Sequence, residues 1–68
     1  MKIVLYSQNS CGPCKMIKQL LKSKNINYEE ENDLSVMLSK AITKTPTLEV
    51  DGELIRDTKE IMNWVNKQ

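Results

Sequence analysis

Cys11-Gly12-Pro13-Cys14 holds the only two thiols of this 68-residue chain one helical turn apart, where an apolar run gives way to an amphipathic one. Ile3 to Tyr6 is nearly continuous in apolar side chains and contains a β-branched pair, which suits a strand buried on both faces. Ser7 to Ser10 then form a polar turn. From Pro13 onward Cys14, Ile17 and Leu21 recur on one helical stripe and Lys15, Lys18 and Lys22 on another. Pro13 fits the first turn of that helix, where a missing N–H costs nothing. The thiols therefore belong at the junction of a buried strand and a helix N-terminus.

The rest of the chain extends this unit. Ile26 to Glu30 reads as a second strand. Leu34, Met37, Leu38 and Ala41 then recur at i, i+3, i+4 and i+7 behind Asp33, a residue suited to cap a helix. Thr47 to Val50 and Glu53 to Arg56 flank Asp51-Gly52, a two-residue connection that favours a tight hairpin. Asp57 and Glu60 have the spacing of a capping pair, and Ile61, Trp64 and Val65 give the last helix its apolar face. The expected order is β-α-β-α-β-β-α, an α/β domain over residues 1–68 with a four-stranded mixed sheet flanked by helices.

Composition narrows the function classes. At 40 % hydrophobic and 28 % charged residues the chain has enough apolar material for one core. A net charge of +1 and three aromatic residues (Tyr6, Tyr28, Trp64) give neither the basic field nor the stacking platform of a nucleic-acid binder. No span approaches membrane length. The N-terminal apolar run is too short for a signal-peptide core, so a cytoplasmic location is expected. With no histidine in the chain, Cys-His and Ser-His-Asp hydrolytic sites are excluded.

Structural roles for the two cysteines are weak. A four-residue ring gives only about 2 kcal/mol of chain-entropy stabilisation and joins no distant elements. A structural zinc site needs four ligands, usually Cys or His, and would have to be completed by carboxylates. In a reducing compartment a close cysteine pair is more often catalytic than structural. Thiol-disulfide exchange then requires a nucleophile and a resolving thiol. Cys11, just outside the helix, is favoured as thiolate by the unpaired N–H groups and dipole of the N-terminus. Cys14, one turn on and facing the core, is shielded and suited to attack the mixed disulfide from within. Gly12 admits close approach of another backbone, and Pro13 limits the flexibility of the ring.

Thr45-Pro46 precedes a strand, where proline is tolerated at the first position. Since only about 5–6 % of X-Pro bonds are cis, the residues alone favour a trans proline. A cis Pro46 against the cysteine pair would leave the Thr45 backbone free to pair with an extended substrate. Lys15 and Lys44 are candidates for adding positive potential near Cys11, against the plainer reading of a solvated face. Glu29, Glu30, Glu31 and Asp33 read as solubility and capping. The four methionines read as start residue and core filler.

The whole chain resembles the thioredoxin-fold oxidoreductases in their short, glutaredoxin-sized form. Tyr6-Ser7-Gln8-Asn9-Ser10-Cys11 resembles the tyrosine-led approach of glutaredoxins, whereas Cys11-Gly12-Pro13-Cys14 and Pro46-Thr47-Leu48 are similar to thioredoxin. The resemblance implies a cis Pro46 and a protein-disulfide reductase that acts as a dithiol electron carrier in cell redox homeostasis. Its only redox group is the Cys11–Cys14 disulfide, with no cofactor and no metal, and it is expected to be a monomer. Three glutathione-holding features are altered. Gln8 replaces a lysine, Gly12-Pro13 a tyrosine-containing pair, and Arg56-Asp57-Thr58-Lys59 a glycine pair with its acidic residue, so poor glutathione recognition is expected. Leu5 stands where thioredoxin buries a carboxylate, and Ser10 where it has a tryptophan. Proton transfer then falls to water, a lysine or the thiols.

Similar small redoxins take electrons from thioredoxin reductase and pass them to ribonucleotide reductase. Both partners are implied here, although the Trp-Ser-Gly-Phe C-terminal pattern is not present. Two other readings compete with a reductase of protein disulfides. A Cu(I) chaperone of this size also carries Cys-x-x-Cys after its first strand, but usually with methionine where this chain has Asn9 and with the order β-α-β-β-α-β. A glutathione-dependent glutaredoxin is the third.

Overall fold

A computed structural model describes residues 1–68. The elements are β1 (Ile3–Tyr6), α1 (Gly12–Ser23), β2 (Glu29–Glu31), α2 (Leu34–Ser39), β3 (Thr47–Val50), β4 (Glu53–Ile55) and α3 (Thr58–Asn66). The order is the one the sequence predicts. The strands form one mixed sheet in the order β2-β1-β3-β4, with β1 parallel to β2 and antiparallel to β3, and β3 antiparallel to β4. This is the thioredoxin-like α/β fold.

Strand β1 is buried along its whole length because helices cover both faces. Ile3 and Leu5 point to one side and pack with Ile17 and Leu21 of α1, Leu48 of β3, and Ile61 and Val65 of α3. Val4 and Tyr6 point to the other and pack with Met37 and Ile42. Alternation along a strand thus produces two cores, one on each face of the sheet. The hairpin between β3 and β4 turns at Asp51 (φ 50°) and Gly52 (φ 90°), the left-handed pair that a two-residue turn needs. Asp51 is tied to the strand opposite, accepting from the Lys2 N–H at 2.7 Å and donating its own N–H to the Lys2 carbonyl at 2.9 Å.

Two expected boundaries shift. β2 covers Glu29–Glu31 rather than Ile26 to Glu30. Ile26 and Tyr28 instead pack beneath the larger core on the approach to the strand. β4 ends at Ile55, and the Arg56 guanidinium donates to the Ala41 carbonyl at 2.7 Å. The second helix also departs from its pattern. Its chain turns at Ala41 (φ 60°) just after Lys40, so Ala41 lies outside the helix, and of the periodic set only Met37 is buried. Leu34 is 58 % exposed and Leu38 67 %.

Candidate functional site

Parallel pairing of β1 with β2 and antiparallel pairing with β3 put three loops at one end of the sheet. Tyr6, the last residue of β1, pairs with Thr47, the first of β3. The chain leaving β1 and the chain entering β3 therefore meet there. The first carries Gln8 and leads to Cys11, and the second carries Thr45 and Pro46.

Cys11 is the N-cap of α1, in extended conformation (φ −95°, ψ 109°), and its sulfur accepts the backbone N–H of Cys14 at 3.1 Å. Proline follows in the first turn, which contains no acidic residue. The positive end of the helix therefore faces Cys11 Sγ with no neighbouring carboxylate on that turn to offset it. The two cysteines are joined as a disulfide with their Cα atoms 5.2 Å apart. Their surroundings differ sharply. Cys14 is fully buried, while Cys11 is half-buried and Gly12 and Pro13 are exposed. An incoming thiol or disulfide can reach only the Cys11 sulfur.

The Thr45–Pro46 peptide bond is cis, the isomer implied by the family resemblance rather than the one favoured by the residues alone. Pro46 is buried and Thr45 half-buried. Thr47, also buried, turns its hydroxyl back to donate to the Lys44 carbonyl at 2.8 Å. Neither the N–H nor the C=O of Thr45 takes part in a backbone hydrogen bond. The Thr45 peptide unit is thus half-buried and unpaired on the segment that enters β3.

The two lysines separate. Both are exposed and neither forms an ion pair. Lys15 sits in the first turn of α1, its N–H bonded to the Cys11 carbonyl at 3.4 Å. Lys44 lines a groove of about 200 Å³ together with Gln8, Thr45 and the side chains of α2.

Two features escape a reading by residue pattern. The first is that groove, whose wall includes Leu34 and Leu38, the residues the helical spacing assigned to the core. The second is a polar cluster at the end of β1. Ser7 is buried and donates its hydroxyl to Glu30 Oε2 at 2.8 Å, and Lys18 Nζ lies 2.6 Å from the same oxygen. The bonds from Lys18 and then Ser7 hold the Glu30 carboxyl below its usual range. Glu30 is thus a tie between α1 and the sheet rather than a purely solubilising charge. Asp33 does cap α2, accepting from the Ser35 N–H at 2.9 Å.

The chain has clear relatives. Residues 3–55 match the family model described as Glutaredoxin. Among solved structures, the crystal structure of the thioredoxin-like protein BC3987 is 30 % identical, with a TM-score of 0.78 over 94 % of this chain and 99 % of that one. A single-residue mutant of the same protein superposes equally well, with a TM-score of 0.78 at 30 % identity over 96 % of this chain and 99 % of that one. No curated protein matches the sequence.

Proposed function

From the premise that this chain belongs to the glutaredoxin family and carries a Cys11–Cys14 redox pair, we propose that it is a reductase of protein disulfides. The observation that carries the reading is the asymmetry of the pair: one sulfur accessible at a helix N-terminus, its partner fully buried one turn on.

In the reduced protein Cys11 is the nucleophile. Its thiolate attacks one sulfur of the substrate disulfide, forming a mixed disulfide and releasing the other substrate sulfur as a thiolate that takes up a proton. Cys14 then loses its proton and attacks Cys11 Sγ. The Cys11–Cys14 bond closes and the second substrate thiol departs, so two electrons and two protons have passed to the substrate. Gly12 and Pro13 form the exposed rim across which the substrate approaches. Thr45 offers its free peptide unit to the substrate main chain, and Pro46 supports the disulfide from the opposite loop. The disulfide itself is the only redox group the cycle needs. Lys15 and Lys44 add positive potential on the approach side, a secondary role.

Thioredoxin reductase is the donor this reading favours, in the cytoplasm, with ribonucleotide reductase among the acceptors. Gln8 and Gly12-Pro13 provide none of the charge or aromatic contacts that would hold glutathione. Copper carriage is less well supported, since the elements follow the order β-α-β-α-β-β-α rather than β-α-β-β-α-β and Asn9 replaces the usual methionine.

The test is insulin reduction with electrons from either thioredoxin reductase and NADPH or glutathione and glutathione reductase. Turnover is expected with the first system and little with the second. The reverse order would return the protein to glutathione-dependent chemistry, and activity with neither would remove the reductase reading.

A further inference from the structure

We propose that Arg56 is a positioning residue: its guanidinium braces the carbonyl of Ala41 and so holds the loop from Ala41 to Pro46 where Thr45 meets an incoming polypeptide. The proposal rests on the disulfide-reductase reading and adds to it a residue that favours polypeptide over small disulfides.

The loop has few other restraints. Thr43, Lys44 and Thr45 make no main-chain hydrogen bond through either N–H or C=O. The buried side chains of Ile42 and Pro46 fix its ends, and the Thr47 hydroxyl on the Lys44 carbonyl fixes its second half. Its first half depends on Ala41. That residue has φ 60°, in a region that side chains other than glycine rarely occupy. Its N–H donates to the Leu38 carbonyl at 3.1 Å, and the Ile42 N–H to the Met37 carbonyl at 2.8 Å, so the chain turns sharply out of α2. The Ala41 carbonyl has no main-chain donor. Arg56 Nη1, from just beyond β4, donates to it at 2.7 Å. Relaxation of Ala41 to negative φ would swing this carbonyl away and re-aim the loop, and the bond from Arg56 opposes that movement.

Fifteen residues separate the two partners, so the bond joins the α2–β3 connection to the β4–α3 connection. Arg56 is exposed and forms no ion pair, so its loss is felt at the loop rather than in either core. A glycine, which the glutathione-holding pattern carries in this stretch, has no side chain with which to make the bond. The consequence for binding is one of preorganisation. A loop without main-chain bonds loses conformational freedom when it pairs with a substrate chain, and a brace that removes this freedom beforehand lowers the cost of association. Only a substrate that pairs with the Thr45 peptide unit benefits. A small disulfide that touches Cys11 alone gains nothing.

Arg56→Met tests the brace with two substrates: a disulfide between peptides that lack charged side chains, and a small aromatic disulfide. With the peptides, KM should rise about fivefold at unchanged kcat, the scale of one net hydrogen bond realised in binding. With the small disulfide, kcat/KM should match wild type. Backbone order parameters from NMR relaxation should fall at Thr43, Lys44 and Thr45 in the variant and hold from Cys11 to Cys14. An unchanged KM for the peptides would overturn the proposal, as would wild-type order parameters at Thr43 to Thr45. So would a loss confined to acidic peptides and abolished by salt, since Arg56 would then act through its charge alone. If wild type reduces neither substrate, the disulfide-reductase reading fails, and the order parameters of the variant still decide whether Arg56 braces the loop.

Discussion

The backbone N–H of Cys14 points at the sulfur of Cys11 across 3.1 Å, while the sulfur of Cys14 is withdrawn from solvent altogether. One residue thus supports its partner as an anion and keeps its own thiol out of reach. In the reduced protein, an alkylating reagent should modify Cys11, the sulfur open to solvent at the helix N-terminus, first. Cys14 should stay unmodified until the protein unfolds. Peptide mapping after timed alkylation, with and without denaturant, checks both statements.

Tyr6 is buried against the second core and donates its hydroxyl to Glu49 Oε1 at 2.6 Å, with Lys40 Nζ 3.6 Å from the same oxygen. Burial first, then the Glu49 carboxylate, holds the phenol well above its usual value near 10. A folded value above the unfolded one means that this contribution to stability is complete below about pH 10 and is lost as pH rises toward the folded value. In a Tyr28→Phe background, ultraviolet titration should show no tyrosinate while the fold persists at pH values where a free phenol ionises. Tyr6→Phe should cost about 1.5 kcal/mol in urea unfolding at neutral pH, the scale of a hydrogen bond to a charged group.

Glu30 behaves in the opposite sense. Lys18 and Ser7 lower its carboxyl from 4.5, so its contribution is present above that value and disappears as pH falls through the folded one. The pair is partly exposed, with side-chain exposures of 28 % for Lys18 and 37 % for Glu30, and solvent screening keeps its worth below about 1 kcal/mol. Glu30→Gln should be less stable than wild type by that much at neutral pH. The two should converge in acid below the carboxylate range, and high salt should narrow the gap.

Leu48 and Leu34 are the same residue type in opposite settings. Leu48 is fully buried between α1, α3 and β1, and Leu48→Ala should cost about 2–5 kcal/mol. Leu34 borders the groove, and Leu34→Ser should change stability by no more than about 0.5 kcal/mol. Paired denaturant melts make the comparison. Equal losses would place Leu34 in the core after all.

Those two leucines also mark where the sequence is legible and where it is not. Ile3 to Tyr6 and the Cys14, Ile17, Leu21 stripe read correctly because burial on both faces of a strand and on one face of a helix imposes a periodicity. Asp51-Gly52 read correctly because few residues tolerate a left-handed turn. The bounds of β2 did not, since Glu29–Glu31 contains no apolar residue. It is an edge strand defined by main-chain pairing with Val4, Leu5 and Tyr6, and its charges suit an exposed edge. Nor did the face of α2: a six-residue helix buries one side chain, and the same periodicity that marks a core face also marks the wall of an open groove. The thiols were evident from their spacing, whereas the groove and the Ser7–Glu30–Lys18 tie depend on tertiary neighbours that no local pattern encodes.

Trapping by single-cysteine variants tests the central claim most directly. A reduced Cys14→Ser protein, incubated with a disulfide peptide and analysed by intact mass, should accumulate one mixed disulfide on Cys11, while Cys11→Ser should form none and lose insulin reduction to the uncatalysed background. Full insulin reduction by Cys11→Ser, or adducts on Cys14 in that variant and none on Cys11 in the other, would contradict the account.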